Sequence, residues 1–202
     1  MNRRAVLAAG AAVVLLSGCF GSWGVSYSEA PETTVSRNWK LARVFIDIPE
    51  DLSVSESNSY APDADIVWHG EERGDRRKQV GAILKQGLTR GSNGLNGDVP
   101  IVLAARLVQF HAVTPAAVSR APGAVHNIKY DLQVFDARTG RPLTEPQRIA
   151  ADLEANVGAA AVVAAVQGQT QKKRIVNHLA AVTAGWLGLG PDQRRTFEGF
   201  GR

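Results

Sequence analysis

The sequence has a single cysteine, no apolar run long enough to span a membrane, and none of the common catalytic signatures. Because Cys19 is alone among 202 residues, the chain cannot build a disulfide framework or a cysteine-based metal site. The longest apolar stretch, Ala5 to Leu16, is shorter than the roughly 20 residues of a spanning helix. No G-x-S-x-G occurs, and "GSNGLNG" is not followed by Lys and Ser or Thr, which excludes a hydrolase elbow and a P-loop. With these possibilities excluded, the most informative part of the sequence is the N-terminal segment.

The first segment has the anatomy of an export signal. Arg3 and Arg4 form a basic region, the apolar stretch from Ala5 to Leu16 follows, and small residues precede Cys19. This order is typical of a secretory signal that is removed from the mature protein. We therefore assign residues 1–18 to a signal peptide.

Leu16-Ser17-Gly18-Cys19 resembles the lipobox of bacterial lipoproteins. The resemblance implies cleavage between Gly18 and Cys19, diacylation of the Cys19 thiol and acylation of the new amine by fatty acids such as palmitate. A thiolate is the nucleophile that would take the lipid. The alternative is a secretory signal that is followed by a chance or buried cysteine.

Lipidation would place the protein in the bacterial cell envelope. Three acyl chains exceed the two signals that stable membrane anchoring requires. Phe20 follows the cysteine where an Asp often marks inner-membrane retention, so we expect a periplasm-facing protein on the outer rather than the inner membrane.

The charge balance gives little support for nucleic-acid binding. The whole chain carries +4, but loss of Arg3 and Arg4 would reduce the 23 basic residues to 21 against 19 acidic ones, a net charge of +2. No basic cluster of the kind that marks a nucleic-acid face occurs. We expect membrane and protein partners and no nucleic acid.

Apolar patterning predicts one α+β domain over residues 39–190, with a lipidated, flexible tether over 19–38 and a loose tail over 191–202. The predicted order is strand, helix, three strands in an antiparallel meander, and a second helix that begins in the Ala-rich segment after residue 157. The first helix should begin after Asp75 and end at Gly91. The fold class is therefore a two-layer sandwich, a mostly antiparallel sheet with two helices on one face.

The strand from His126 to Phe135 alternates strictly between apolar and polar residues. Its apolar set should be buried under the two helices, since only these carry matching stripes. The opposite face should present a mixed-charge surface that is free to meet a partner, made of Arg106, Lys129, Asp131 and Gln133.

Histidines and carboxylates suggest two possible metal sites. We expect instead that the residues around His69 are solvated loop charges and that the histidines at the strand ends are structural. His69 stands among four acidic residues in a spacing that matches no known metal loop: Asp63, Asp65, Glu71 and Glu72. His111 and His126 lie at facing strand ends, but a two-histidine site needs a third ligand. His178 should lie on the polar side of the second helix. We expect no metal, no cofactor and no catalytic residues.

Four stretches resemble a small family of bacterial envelope lipoproteins, a domain of unknown function: "YAPDADIVWHGEERGDR", "FHAVT", "HNIKYDLQVFDARTG" and "GQTQKKRIVNHLA". The resemblance covers most of the mature chain and implies location and fold only. More distantly, the order of elements is similar to that of auxiliary lipoproteins of ABC-type transport systems.

These observations predict a non-enzymatic, membrane-anchored periplasmic lipoprotein that acts as a binding or assembly subunit of the envelope, with a role in lipid transport as one option. The alternative is an envelope hydrolase with an unrecognised active site. A large apolar pocket lined by the helix–sheet interface would favour lipid handling, and convergent titratable residues in a cleft would favour an enzyme.

Overall fold

The computed structural model describes residues 20–200, apart from the side chains of Phe20 and Phe200. The predicted signal peptide, the cleavage site at Gly18 and the lipidation site at Cys19 lie outside the described residues. The strands are β1 Phe20–Ser26, β2 Trp39–Asp47, β3 Val54–Ser55, β4 Ile66–Val67, β5 Val99–His111, β6 Val125–Asp136, β7 Gln147–Ala151, β8 Leu153–Glu154 and β9 Arg195–Phe200. The helices are α1 Thr33–Ser36, α2 Arg76–Gly91, α3 Pro115–Arg120, α4 Gly158–Val166 and α5 Gln171–Trp186.

The strands form one mixed sheet in the order β3-β4-β5-β6-β7-β1-β9, with β2 also on β5 and β8 also on β6. Strands β5, β6 and β7 make the predicted antiparallel meander. Strand β2 pairs with β5 in parallel because the chain crosses over through α2 between them. The α+β class is confirmed, and the parallel pairs β2–β5, β3–β4 and β4–β5 make the sheet mixed.

Helix α2 begins and ends where the sequence predicts. The Asp75 carboxylate accepts a hydrogen bond from the Lys78 backbone N–H at 3.1 Å, which satisfies one of the free donors of the first turn. Thr170 caps α5 in the same way, through Lys173. The two helices pack against one another, α2 also against β2 and α5 against β7. Both long helices therefore lie on one face of the sheet.

The core lies between this helix pair and the sheet. Ile128, Tyr130, Leu132 and Val134 are fully buried, as the alternation in β6 predicts. The apolar stripes of both helices meet them, including Leu84 on α2 and Leu179 on α5. At one end of this core, Trp68 meets Phe110 edge to face with ring centroids 5.9 Å apart.

The predicted tether and loose tail are wrong where the structure describes them, because both contain strands of the sheet. Strand β1 lies between β7 and β9, with Trp23 opposite Phe197. The buried Asp152 fixes this position by accepting from the Gly24 N–H, and the Tyr27 side chain is buried in the core. Composition rich in Gly, Ser and Thr conceals the strand, because only Val25 and Tyr27 mark its buried side.

The Ala-rich segment is a separate helix, which corrects the prediction of a single second helix there. Helix α4 is bounded by Gly158 with φ 55° and by Gly168 with φ 67°, left-handed conformations that side chains other than glycine rarely adopt. These glycines separate α4 from both β8 and α5. No helix within residues 20–200 has the length and apolar character of a membrane span.

Candidate ligand-binding site

A cavity of about 260 Å³ lies at the end of the sheet where β6 begins. Its apolar wall comes from α3, from α4 and from the chain that leads into α3: Val113, Pro115, Val118, Ala161, Ala164 and Ala165. Polar residues from four other segments line the same space, of which His69, His126 and Arg174 are the most informative. An apolar cavity with few polar groups is the usual form of a small-molecule site.

His126 contributes a hydrogen-bond donor that has no partner among the described residues. Its Nδ1 accepts from the Val113 backbone N–H at 3.3 Å, so the neutral ring carries its proton on Nε2. The residue is 1% exposed, and Nε2 makes no hydrogen bond within the described part of the chain. Burial, followed by the charges of Arg174 and His178, lowers the pKa of His126 to about 3. The ring is therefore a neutral donor at neutral pH.

Arg174 supplies a positive charge at the same cavity. One guanidinium nitrogen donates to the Glu154 backbone carbonyl at 2.8 Å, and no carboxylate forms a salt bridge with it among residues 20–200. Burial lowers its pKa, yet an arginine side chain remains charged in proteins. The charge of Glu154 acts on this guanidinium without a direct ion pair, so an anionic group in the cavity would supply the salt bridge that the described chain does not.

His69 reaches the cavity from the loop after β4, and a small network holds that loop. The Glu71 carboxylate accepts from the Trp68 indole at 2.9 Å and pairs with Lys172 of α5 at 2.7 Å. Partial burial alone would raise the pKa of Glu71, but the bonds from Lys172 and Trp68 outweigh it and lower the pKa. The His69 Nε2 atom is buried and has no partner among the described residues.

The other predicted metal-site residues do not join His69. Asp65 accepts from the Ser53 N–H and hydroxyl, and Glu71 is committed to Lys172. His111 contacts the Pro62 carbonyl at 2.9 Å and does not line the cavity that His126 lines. Within residues 20–200 no three His, Cys, Asp or Glu side chains come together as a metal site.

His178 differs from the predicted polar position on α5. It is largely enclosed, because its Nε2 is buried without a partner in the described chain. Burial, then the charge of Arg195, lowers the pKa of His178 to about 4, although the backbone carbonyls of Asp152 and Ala151 act in the opposite direction. The α5 surface that carries it packs on β7 and β8 instead of facing solvent.

The residues predicted to face a partner lie on the strands as expected but are tied to neighbours. Arg106 stands opposite Asp131 in register and pairs with Asp47 at 2.6 Å. Asp131 pairs with Arg148 at 2.5 Å, and Gln133 donates to the Thr144 carbonyl at 2.9 Å. Lys129 is half-buried beside β7. Use of this face by a partner stays a prediction.

Sequence reasoning named His69 and His126 but missed the cavity. Arg174 was not singled out, because its spacing in α5 is that of an ordinary solvated residue. The sequence does contain one indication of this part of the cavity. Gly158 and Gly168 flank a segment without charged residues, a pattern that indicates a helix separate from α5.

The fold and the site define a small α+β domain with a mixed sheet, a pair of packed helices and a lateral cavity under a short apolar helix. The chain belongs to a family described as "Family of unknown function (DUF6778)", which matches over residues 39–202. No curated protein sequence matches it.

Two solved structures show distant similarity. A protein of Caulobacter crescentus CB15 that is described as a candidate lipoprotein shares 17% identity with a TM-score of 0.33, over 54% of this chain and 83% of that chain. A single-residue variant of the PelC dodecamer from Paraburkholderia phytofirmans shares 14% identity with a TM-score of 0.38, over 85% of this chain and 98% of that chain. The likeness to auxiliary lipoproteins of ABC-type transport systems stays a prediction.

Proposed function

We propose that this protein is a lipid-anchored, periplasm-facing subunit of the bacterial cell envelope that binds a small amphipathic ligand with an anionic head. The observation that carries the proposal is the apolar cavity in which the His126 Nε2–H has no partner and Arg174 forms no salt bridge among the described residues. A buried donor that lacks an acceptor costs about 1–3 kcal/mol. A carboxylate or phosphate in the cavity would satisfy that donor and the guanidinium, while its apolar part would contact the alanine and valine wall.

The same residues favour binding over the alternative, an envelope hydrolase. The described lining contains no Ser, Cys, Asp or Glu, and the Thr170 hydroxyl is occupied as the acceptor of the α5 cap. A general base must offer a free lone pair to the proton that it removes. In His126 the lone pair on Nδ1 already accepts from Val113, so this ring presents a donor and not a base to the cavity. His69 also lines the cavity and makes no such bond through Nε2, so the preference for binding rests on the lack of a nucleophile in the described lining.

The anchor is tested by a Cys19→Ala variant of the full chain expressed in bacteria. We expect the native protein to stay with membranes after a high-salt wash, and any processed Cys19→Ala protein to enter the soluble periplasmic fraction, because the acyl chains are lost. Sucrose-gradient separation of inner and outer membranes then tests the expected outer-membrane location. Retention of the variant after the wash would contradict anchoring through Cys19.

The ligand class is tested by calorimetric titration of the detergent-solubilised protein with octanoate, a medium-chain carboxylate. We expect the Arg174→Gln variant to bind at least tenfold more weakly, since one charge-assisted hydrogen bond contributes about 1.5–3 kcal/mol. Lys173→Gln, which removes an exposed charge from the preceding position of the same helix, is the matched control.

A second variant, Ala164→Leu, fills the cavity from α4 without changing its charge. We expect it to abolish octanoate binding. Equal binding by the native protein, Arg174→Gln and Ala164→Leu would show that the ligand lies elsewhere, and the absence of binding by the native protein would refute an anionic amphiphile of this size.

A further inference from the structure

Helix α4 carries an apolar face that the rest of the described chain does not cover. Val162, Val163 and Val166 are 65%, 56% and 84% exposed, and their spacing of three and four residues puts them on one side of the helix. No charged residue occurs between Glu154 and Lys172. The opposite side of α4, through Ala161 and Ala164, lines the cavity. A strip of this kind on a surface marks an interaction site.

The fold places this helix at the same end of the sheet as Phe20, the residue that follows the proposed lipidation site in the sequence. Phe20 is the first residue of β1. Phe20 pairs with Phe200, and a Cβ on the neighbouring Gly199 would lie 2.9 Å from a methyl group of Val125, the first residue of β6. The start of β1 therefore lies beside the start of β6.

Helix α4 begins from that same place. Val125 pairs with Glu154 of β8, and the Ala155 N–H donates to the Ala124 carbonyl at 2.9 Å. Only a few residues then separate β8 from the start of α4 at Gly158. The start of β1, the start of β6 and α4 thus share one end of the described structure, and the proposed anchor residue immediately precedes β1 in the sequence.

We infer that the valine face of α4 rests on the lipid bilayer, so that membrane contact closes over the outer side of the cavity wall. This inference depends on the proposed anchoring through Cys19. An apolar helix face of this kind penetrates the boundary between headgroups and acyl chains by roughly 5–10 Å. Arg120, which ends the neighbouring helix α3, and Lys173 are exposed, and basic side chains are attracted to anionic headgroups.

Site-specific labelling of the full lipidated protein tests this placement. A Val163→Cys variant is labelled with an environment-sensitive fluorophore and reconstituted in vesicles of phosphatidylethanolamine and phosphatidylglycerol, with quencher either on the lipid chains or, as iodide, in the water. Leu143→Cys is the control, because Leu143 is 40% exposed and lies beyond the far end of β6, where its N–H donates to the Val134 carbonyl.

We expect the Val163 label to emit at shorter wavelength than the Leu143 label and to be quenched several-fold more strongly by the lipid-borne quencher, with the reverse order for iodide. Equal iodide quenching of the two labels would overturn the inference, and so would protection of the Val163 label from both quenchers, which indicates a protein partner or a second copy.

The unsubstituted protein separates this result from a failure of the anchor. With Cys19 acylated, it should float with the vesicles and take up no label. A protein that fails to float and is labelled at Cys19 would refute the proposed anchoring, and the placement of α4 would be overturned with it.

Discussion

The contact between α2 and α5 depends on a glycine that has no room for a side chain. A Cβ placed on Gly87 would lie 2.5 Å from the Leu179 Cβ, which itself is fixed in the core. Gly81 of the same helix has a different neighbour, since its Cβ would lie 3.0 Å from the terminal methyl group of Ile48. That methyl group ends a flexible, half-buried side chain and can rotate away. The two positions form a matched pair for testing the helix contact.

We expect Gly87→Ala to destabilise the protein relative to Gly81→Ala. Both substitutions gain about 1 kcal/mol of helix propensity. Only Gly87→Ala forces the helices apart, and inserting a methyl group into a well-packed core costs about 1–3 kcal/mol. The two variants should therefore differ by about 1–3 kcal/mol in the free energy of unfolding. For a chain of this size, each kcal/mol shifts the melting temperature by a few degrees.

Urea denaturation measures this difference, with the fluorescence of the buried Trp68 and Trp186 and the helical circular dichroism as two probes. The slope of the transition should be the same for both variants, so that the midpoints report stability alone. If Gly87→Ala proves as stable as Gly81→Ala, the close approach of α2 and α5 is refuted.

Two further predictions concern the core and the buried histidines. Leu132→Ala should cost about 2–5 kcal/mol by opening a cavity, whereas Lys129→Ala on the other side of the same strand should change stability by less than about 0.5 kcal/mol; thermal denaturation that gave the reverse order would contradict the assignment of faces. Because the folded pKa of His178 is about 4 against 6.5 in the unfolded chain, the unfolded state binds more protons between these values, and stability should fall as pH decreases from about 6.5 to 4. His178 alone should contribute about 3 kcal/mol of this loss at 1.36 kcal/mol per pKa unit, in addition to the loss from His126, whose folded pKa is also lowered. In urea titrations at each pH a His178→Gln variant should lose about that much less than the native protein.

Elements with a strong pattern could be predicted from the sequence, and those whose positions depend on distant partners could not. Asp75 and Gly91 delimit α2 by local capping, and the alternation in β6 assigns its two faces, so both predictions are confirmed. Strands β1 and β9 have little alternation of their own, because glycines interrupt it and their stability comes from each other and from Asp152. The local sequence pattern therefore predicts irregular structure for both strands.

The candidate site shows the same division. His126 was recognisable as a histidine at a strand end, yet its significance lies in a bond to Val113 that fixes its tautomer. Arg174 becomes informative only when the structure shows that it lines the cavity and forms no salt bridge within the described chain. The position of the His126 proton and the lack of a salt bridge to Arg174 are both properties of the tertiary structure and have no counterpart in sequence spacing.

The pairing of β1 with β9 has a consequence for how the chain reaches its folded form. The Trp23 indole donates to the Gly199 carbonyl across 176 residues, and β1 is enclosed between β7 and β9. A chain that crosses a membrane N-terminus first delivers β1 long before either neighbour, so β1 stays unpaired until β7 arrives and keeps one open edge until β9 arrives. Closing so long a loop late favours slow folding. During that interval a lipid anchor at Cys19 would hold the exposed strand at the membrane surface, where a chaperone of the envelope could reach it before the sheet is completed.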